Sequence, residues 1–406
     1  MKELSLLLKP ASGLCNMRCS YCFYREETGR QTSFKQDIMS GETMELLCRR
    51  ACGSAENYLH IAFQGGEPTL AGVDFYRRFT ACMEAYAHRG LRVDYAFQTN
   101  GLLLDEDWMS FFQKHHCLVG LSFDGTSQLH DQYRPDAEGK GTADRVLAVW
   151  KRLQDAEVDT NLLCVVTRQM AAKPERVYRY LKNIGAAYLQ FIPCMDFSSP
   201  AKEDLAGHSK QYSQFSQSRQ LYAEMNSTKE EPPWSLKPNE YAHFLKGLFD
   251  LWYRDWKNGN YISIRQFDDY IHLLCGGRPS ACAACGECGG YLVVENDGSV
   301  YPCDFYVEDD WRLGNIKDTS LEKLSNGERM QEFRSGSCGR EENCRSCRYY
   351  VLCRGGCRHD WVSGGLSASG KNLFCGAYQD FFAYTLPRML EIAEAERRCR
   401  QAVRKN

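Results

Sequence analysis

Three cysteines near the start of the chain, Cys15, Cys19 and Cys22, stand at C-x3-C-x2-C spacing. That spacing lets one loop wrap three thiolates around a single iron–sulfur cubane and leaves one iron without a protein ligand. An open iron can bind a small molecule through an amino and a carboxylate group, whereas a structural zinc site closes all four positions. No fourth Cys or His follows closely. The alternatives are a zinc knuckle completed from far away, or three incidental core cysteines.

Eleven further cysteines fall late in the chain: Cys275, Cys282, Cys285, Cys288, Cys303, Cys338, Cys344, Cys347, Cys353, Cys357 and Cys375. Their centre reads Cys344-x2-Cys347-x5-Cys353-x3-Cys357. Taken alone, C-x2-C with C-x3-C suits zinc as well as iron and sulfide. The N-terminal triad tips the balance to iron–sulfur. The chain holds 21 cysteines, an odd number, in 406 residues. In a long chain without a secretory leader, dense cysteine points to metal rather than disulfides.

Two more motifs sit where they can support the triad. Gly65-Gly66-Glu67-Pro68 follows the second strand-like run, and Ser122 with Asp124-Gly125 follows the fourth. Glycines let backbone approach a ligand closely, and Glu67 can accept a hydrogen bond from an ammonium group. A GGEP sequence alone is explained equally well by a tight turn.

The elements that must hold these residues alternate. Residues 4–9, 59–64, 93–98, 119–123, 161–167 and 188–192 are short apolar runs of strand character. Between them, 43–51, 75–87, 107–114, 143–155 and 175–183 have helical periodicity. This is the pattern of a parallel sheet covered by helices. Six such units predict an α/β fold, a partial (β/α)6 TIM-like barrel with its chemistry at the C-terminal ends of the strands.

From Asp196 to about residue 235 the chain is polar and contains Pro232-Pro233. It reads as an exposed insertion with one helix around 211–226. An aromatic-rich helix is expected over 241–256, then a small cysteine-rich domain held by metal. The expected division is 1–235 and 236–406. Net charge is −2, with 25% charged and 43% hydrophobic residues. There is no footprint for nucleic acid or acidic lipid. The apolar run 4–8 is too short for a signal-peptide core, and no stretch is long enough to span a membrane, so a cytoplasmic address is expected.

With aromatic Tyr21 and Phe23 beside the ligands and GGEP downstream, the chain resembles the radical S-adenosylmethionine (SAM) superfamily. The C-terminal cysteines resemble the SPASM domain of its peptide-modifying members. Residues 8–12, 22–24, 62–72, 98–101, 162–167 and 301–306 resemble the anaerobic sulfatase-maturating enzymes specifically. The insertion after Asp196 departs from that pattern. The resemblance implies three [4Fe-4S] clusters and SAM. It places Cys282, Cys288, Cys303 and Cys357 on one auxiliary cluster and Cys344, Cys347, Cys353 and Cys375 on the other, leaving Cys275, Cys285 and Cys338 spare. It also implies SAM contacts at Tyr21, Gly66, Ser122, Arg134 and Met195, beside Gly65 and Glu67. Arg134 equally suits an ion pair, and Met195 a core position.

The implied reaction is oxidation of a Cys or Ser in a sulfatase polypeptide, within C/S-x-P/A-x-R, to Cα-formylglycine. A 5′-deoxyadenosyl radical removes a Cβ hydrogen, Asp304 is the base, and a flavodoxin or ferredoxin serves as electron donor. Asp304 can instead bond to the cluster or cap a turn. Rival readings are another SPASM peptide maturase, such as a thioether-forming one, and a zinc-binding interaction protein. Cys15 comes so early that no peptide-recognition domain is expected before the barrel.

Overall fold

The structure, a computed structural model, describes residues 1–24, 37–195, 232–338, 342–363 and 372–403. Most of the polar insertion, including the helix expected at 211–226, lies outside the described residues. The chain forms two compact units. One comprises 1–123, 130–162 and 289–336, the other 124–129, 163–288 and 337–406. This division by contacts differs from the one read at residue 235, because 289–336 returns to the first strands.

In the first unit β1 (Glu3–Lys9), β2 (Tyr58–Phe63), β3 (Arg92–Thr99) and β4 (Leu118–Ser122) pair in parallel order. On the other side of β1 lies β8 (Leu292–Glu295), also parallel, followed by β9 (Ser299–Tyr301) and β10 (Gly314–Asn315), both antiparallel. A strand covered on both faces needs a continuous apolar run. Accordingly β1 reads ELSLLLK, and its last four residues are all buried. Register brings Leu8 opposite both Phe63 and Val294, and sets Lys9 opposite Glu295.

Helices α1 (Gly41–Ser54), α2 (Val73–Tyr86), α3 (Glu106–Lys114), α4 (Ser127–Tyr133) and α5 (Ala143–Asp155) connect the strands. Ser40 caps α1 through Thr43 N, and Asp105 caps α3 through Trp108 N, each satisfying an orphan helix-end donor. The helical runs expected from sequence match these elements to within a few residues. The short α4 went unforeseen. Phe63 and Phe97 pack against Tyr76, Phe79, Trp108 and Phe112 in edge-on and tilted contacts. This aromatic layer fixes the strands on which the site is built.

In the second unit β6 (Tyr188–Pro193) pairs in parallel with the short β7 (Ser263–Ile264); β5 (Thr160–Val166) crosses from the first unit into the second. Helix α6 (Pro174–Asn183) and the aromatic helix α7 (Pro238–Lys257) follow the expected positions. Two further helices, α8 (Arg265–Leu274) and the 29-residue α9 (Cys375–Val403), were not anticipated. Helices α7 and α9 are joined by Arg388–Asp250 at 2.6 Å and Lys246–Asp380 at 2.7 Å. No helix among the described residues is long and apolar enough to cross a membrane.

His130 illustrates how tightly the first unit is packed. It is fully buried, stacks on Phe123 at 4.8 Å and bonds Thr142 Oγ1 at 2.9 Å. Burial, reinforced by nearby Arg134, pushes its imidazole down to about 2. The folded state therefore holds it neutral while the unfolded chain protonates near pH 6.5. Its contribution is complete above that value and declines as pH falls toward 2, by about 1.4 kcal/mol per pH unit. Urea unfolding at pH 7.5 and pH 5 measures this: His130→Asn flattens the acid-side loss by about 2 kcal/mol.

Candidate active site

The site residues of the first unit emerge at the C-terminal ends of β1, β2, β3 and β4, where parallel α/β folds place their chemistry. The loop after β1 carries Cys15, Cys19 and Cys22, and is held from two sides. On one side Gly66 N donates to Ser12 O and Glu67 N to Leu14 O, both at 2.7 Å. On the other, Arg18 N donates to Pro135 O and Ser20 N to Tyr133 O, both at 2.9 Å. A Cβ on Gly66 would lie 2.2 Å from the Leu14 carbonyl oxygen. The glycine is thus required by one loop lying directly on another.

Glu67 is held within the protein by four hydrogen bonds. Its Oε1 accepts Thr69 N at 3.1 Å, Thr69 Oγ1 at 2.6 Å and Thr99 Oγ1 at 2.7 Å, and its Oε2 accepts Asn100 N at 2.7 Å. Burial raises its carboxyl, and these hydrogen bonds pull it back down. It straps the end of β2 to the end of β3. Asn100 then donates to Asn16 Oδ1 at 2.8 Å and approaches Cys15 Sγ at 3.8 Å.

The expected SAM-contacting residues divide between the units. Arg134 Nη1 donates to Tyr21 OH at 3.1 Å, so those two are brought together, and Arg134 is buried. Gln98 Nε2 donates to Ser122 Oγ at 2.9 Å. Met195 is buried in the second unit. The three N-terminal thiols are near enough to feel one another. Burial of its sulfur, then Glu67, Cys19 and Cys22, push Cys15 up to about 12 against the Met17 N–H, although the residue as a whole is exposed. Three cysteines held close together by two flanking loops, at least one of them biased toward the neutral thiol by burial, fit a cationic iron centre that would favour their thiolate forms.

A second cluster of groups surrounds Asp304, in the turn after β9. Asp304 is buried, and its Oδ1 meets Lys9 Nζ at 2.8 Å. Its Oδ2 accepts Tyr24 OH at 2.5 Å and Gln64 Nε2 at 3.1 Å. Gln64 also donates to Tyr24 OH at 2.8 Å. Lys9 lies 3.5 Å from Glu295 Oε1, and Ser12 Oγ donates to Glu295 Oε2 at 2.6 Å. Burial raises the Glu295 carboxyl, while Lys9 and the Ser12 hydroxyl lower it. Sequence reading assigned no role to Lys9, Tyr24, Gln64 or Asn100, although each lies in a stretch carrying the family resemblance. Glu295 had no signal at all.

Among the remaining cysteines, Cys344, Cys347, Cys353 and Cys375 line one cavity of about 450 Å³. That is far more room than a single ion with thiolates about 2.3 Å away requires, and it fits a four-iron cubane. Cys282 feels Cys288 and the spare Cys285, both raising its thiol after burial, with Arg265 opposing. Asp269 holds the turn before Cys282, accepting Ser280 N at 2.6 Å and Ala281 N at 3.0 Å. Cys357 is half-buried in the second unit, and Cys303 lies in the first, 3.5 Å from Tyr291 OH. Cys275 Sγ bonds Ala393 O at 3.5 Å, and the side chain of Cys338 lies outside the described residues.

The Gly66 contact yields a direct test. Gly66→Ala must displace the cysteine loop, because the clash is with backbone. Anaerobic reconstitution of this variant is expected to lose about four iron atoms per chain, the content of one cubane. Iron assay against the unsubstituted chain measures it.

Comparison with known proteins agrees with this geometry. Residues 10–181 match the radical SAM superfamily, and residues 282–348 match the SPASM iron-sulfur cluster-binding domain. The chain is 37% identical over 394 residues to the cysteine-type anaerobic sulfatase-maturating enzyme of Clostridium novyi (strain NT), covering 97% of this chain and 98% of the relative. It is 39% identical to the cysteine-type enzyme of Clostridium perfringens (strain 13 / Type A), covering 97% and 99%. The serine-type enzyme of Klebsiella aerogenes is 29% identical, covering 93% and 84%. The solved structure of native anSMEcpe with bound AdoMet and Cp18Cys peptide superposes with a TM-score of 0.84 at 37% identity, covering 97% and 99%. The α/β core with its parallel sheet, the SPASM segment and this near full-length likeness agree: the chain belongs to the anaerobic sulfatase-maturating enzymes, SPASM-domain members of the radical SAM superfamily.

Proposed function

We propose that this protein oxidises an active-site cysteine of a sulfatase polypeptide, within C-x-P-x-R, to Cα-formylglycine. The observation that carries the reading is the buried carboxylate of Asp304, ion-paired with Lys9 and hydrogen-bonded by Tyr24 and Gln64 in the same unit as the N-terminal cysteine triad. A cysteine rather than a serine target is favoured by the 37–39% identity to cysteine-type relatives against 29% to a serine-type one.

Cys15, Cys19 and Cys22 would hold the cluster that binds SAM, with Tyr21, Gly65, Gly66, Ser122, Arg134 and Met195 around the ligand. When bound there, SAM supplies a 5′-deoxyadenosyl radical able to take a hydrogen atom from the substrate Cβ. The two auxiliary clusters would take the cysteine sets named from the resemblance, giving three clusters and about 12 iron atoms per chain. On this reading the SAM-binding core extends to about residue 235, and the auxiliary-cluster domain follows. The setting is the cytoplasm, and a flavodoxin or ferredoxin is the electron carrier.

The Asp304 carboxylate receives the thiol proton of the substrate; with the Cβ hydrogen atom and one electron also removed, a thioaldehyde is left, which water converts to formylglycine with release of hydrogen sulfide. Lys9 Nζ, 2.8 Å from Oδ1, pairs with that carboxylate and holds it in place. Tyr24 OH and Gln64 Nε2 fix its orientation, so that the acceptor lone pair is set before substrate arrives. Glu67 and Asn100 act on the other side, holding the end of β3 against the cysteine loop.

Asp304→Asn keeps the shape and an acceptor oxygen but removes basicity. Formylglycine formation is expected to fall by ~10²–10⁴, while SAM cleavage and iron content stay near the unsubstituted level. Mass spectrometry of the peptide, 5′-deoxyadenosine yield and iron assay on one preparation check this; full product formation would remove Asp304 from the chemistry. Tyr24→Phe should lose less, since Lys9 and Gln64 still hold the carboxylate.

A further inference from the structure

The segment bearing most of the second auxiliary set is basic. From Cys344 to Arg358 it contains Arg345, Arg348, Arg354 and Arg358 and no Asp or Glu, within a protein of net charge −2. Glu341 and Glu342 precede the run. Arg345 and Arg348 are exposed. Arg348 lies 5.2 Å over the Tyr349 ring, and both residues line the cavity shared by Cys344, Cys347, Cys353 and Cys375. Arg354 is turned inward, donating to Cys285 O at 3.4 Å. Val351 is 54% exposed in the same loop.

This combination has a specific use. Charge within the wall of a redox-centre cavity, beside one exposed apolar residue, makes a small, electrostatically steered contact. Electron-transfer encounters are of that kind: small, transient and dependent on complementary charge. A tightly held structural surface would instead pair its arginines with carboxylates of its own chain, and no ion pair of Arg345 or Arg348 is found among the described residues.

We propose that Arg345 and Arg348, with Val351 between their loop and solvent, form the docking surface for an acidic one-electron carrier protein. The proposal rests on the functional reading above; the carrier docked here takes up the electron left by substrate oxidation, opposite in direction to the donor that serves SAM cleavage. Substrate oxidation removes two electrons and two protons' worth of hydrogen. One hydrogen atom leaves with the 5′-deoxyadenosyl group, one proton goes to Asp304, and one electron remains. That electron passes to the docked carrier, which is reduced by one as the auxiliary centre is oxidised by one. No bond forms or breaks at the surface.

The test uses the fully reconstituted enzyme and photoreduced flavodoxin as probe, running the same electron exchange in reverse. Stopped-flow absorbance near ~400 nm follows reduction of the clusters. In Arg345→Glu/Arg348→Glu the second-order rate at low salt is expected to fall about tenfold, and the unsubstituted rate to drop toward it as salt is raised. Reduction by dithionite should be unchanged, which separates docking from damage to the clusters. Removing the N-terminal triad by Cys15→Ala/Cys19→Ala/Cys22→Ala should leave the fast flavodoxin phase in place. Equal rates for the charge-reversed and unsubstituted enzymes at every salt concentration would overturn the proposal. So would loss of the fast phase with the triad, or a weakened peptide KM at unchanged flavodoxin rate. Failure of the functional reading would look different: no peptide oxidation by the unsubstituted enzyme with either reductant.

Discussion

The first unit is organised by the contact of two backbone loops. Gly66 and Glu67, just beyond β2, lie on the segment from Ser12 to Leu14, just beyond β1, through two 2.7 Å hydrogen bonds. Everything that the cysteine triad needs follows from that contact. It requires a residue without Cβ at position 66, because the Leu14 carbonyl would stand 2.2 Å from one. It turns Ser12 into a left-handed conformation, with φ of 48°, a cost tolerated where the surroundings over-determine it. The carbonyl of Ser12 receives Gly66, while its hydroxyl reaches Glu295. One residue thus ties the cluster loop to the carboxylate network.

That network is an electrostatic balance. Lys9 is buried at the end of β1, and an isolated buried ammonium would cost several kcal/mol. Asp304 and Glu295 offset the cost from two sides, at 2.8 Å and 3.5 Å. Removing one partner of such a pair is far worse than exchanging the whole set, at about 3–5 kcal/mol. The register of β1 on β8 sets Lys9 opposite Glu295, so part of the arrangement is enforced by strand pairing. Asp304 alone comes from a turn, the place where a functional carboxylate can be aimed without disturbing the sheet.

The sequence made some of this legible and hid the rest for physical reasons. Cys15, Cys19 and Cys22 were visible because their spacing is local, within eight residues. The six strand–helix repeats were visible because buried parallel strands must be apolar throughout, as β1 is. The Lys9–Glu295–Asp304 set was not, because its members are separated by nearly 300 residues, and a lysine in sequence reads as surface. Glu67 was legible as a site residue, but its partners within the protein were not. Only the structure shows its carboxylate filled by Thr69, Thr99 and Asn100. The C-terminal helix Cys375–Val403 was hidden because it carries Pro387 in its interior, a residue that ordinarily ends a helix.

Under the proposed function, these strand ends bring a radical source and a base to one Cβ–H and S–H pair of a cysteine. A peptide carrying C-x-P-x-R, deuterated at the cysteine Cβ, tests it when incubated anaerobically with the reconstituted enzyme, SAM and reductant. The account predicts deuterium in 5′-deoxyadenosine in step with conversion of the peptide to the formylglycine mass. Deuterium-free 5′-deoxyadenosine beside an unchanged or thioether-linked peptide would contradict it.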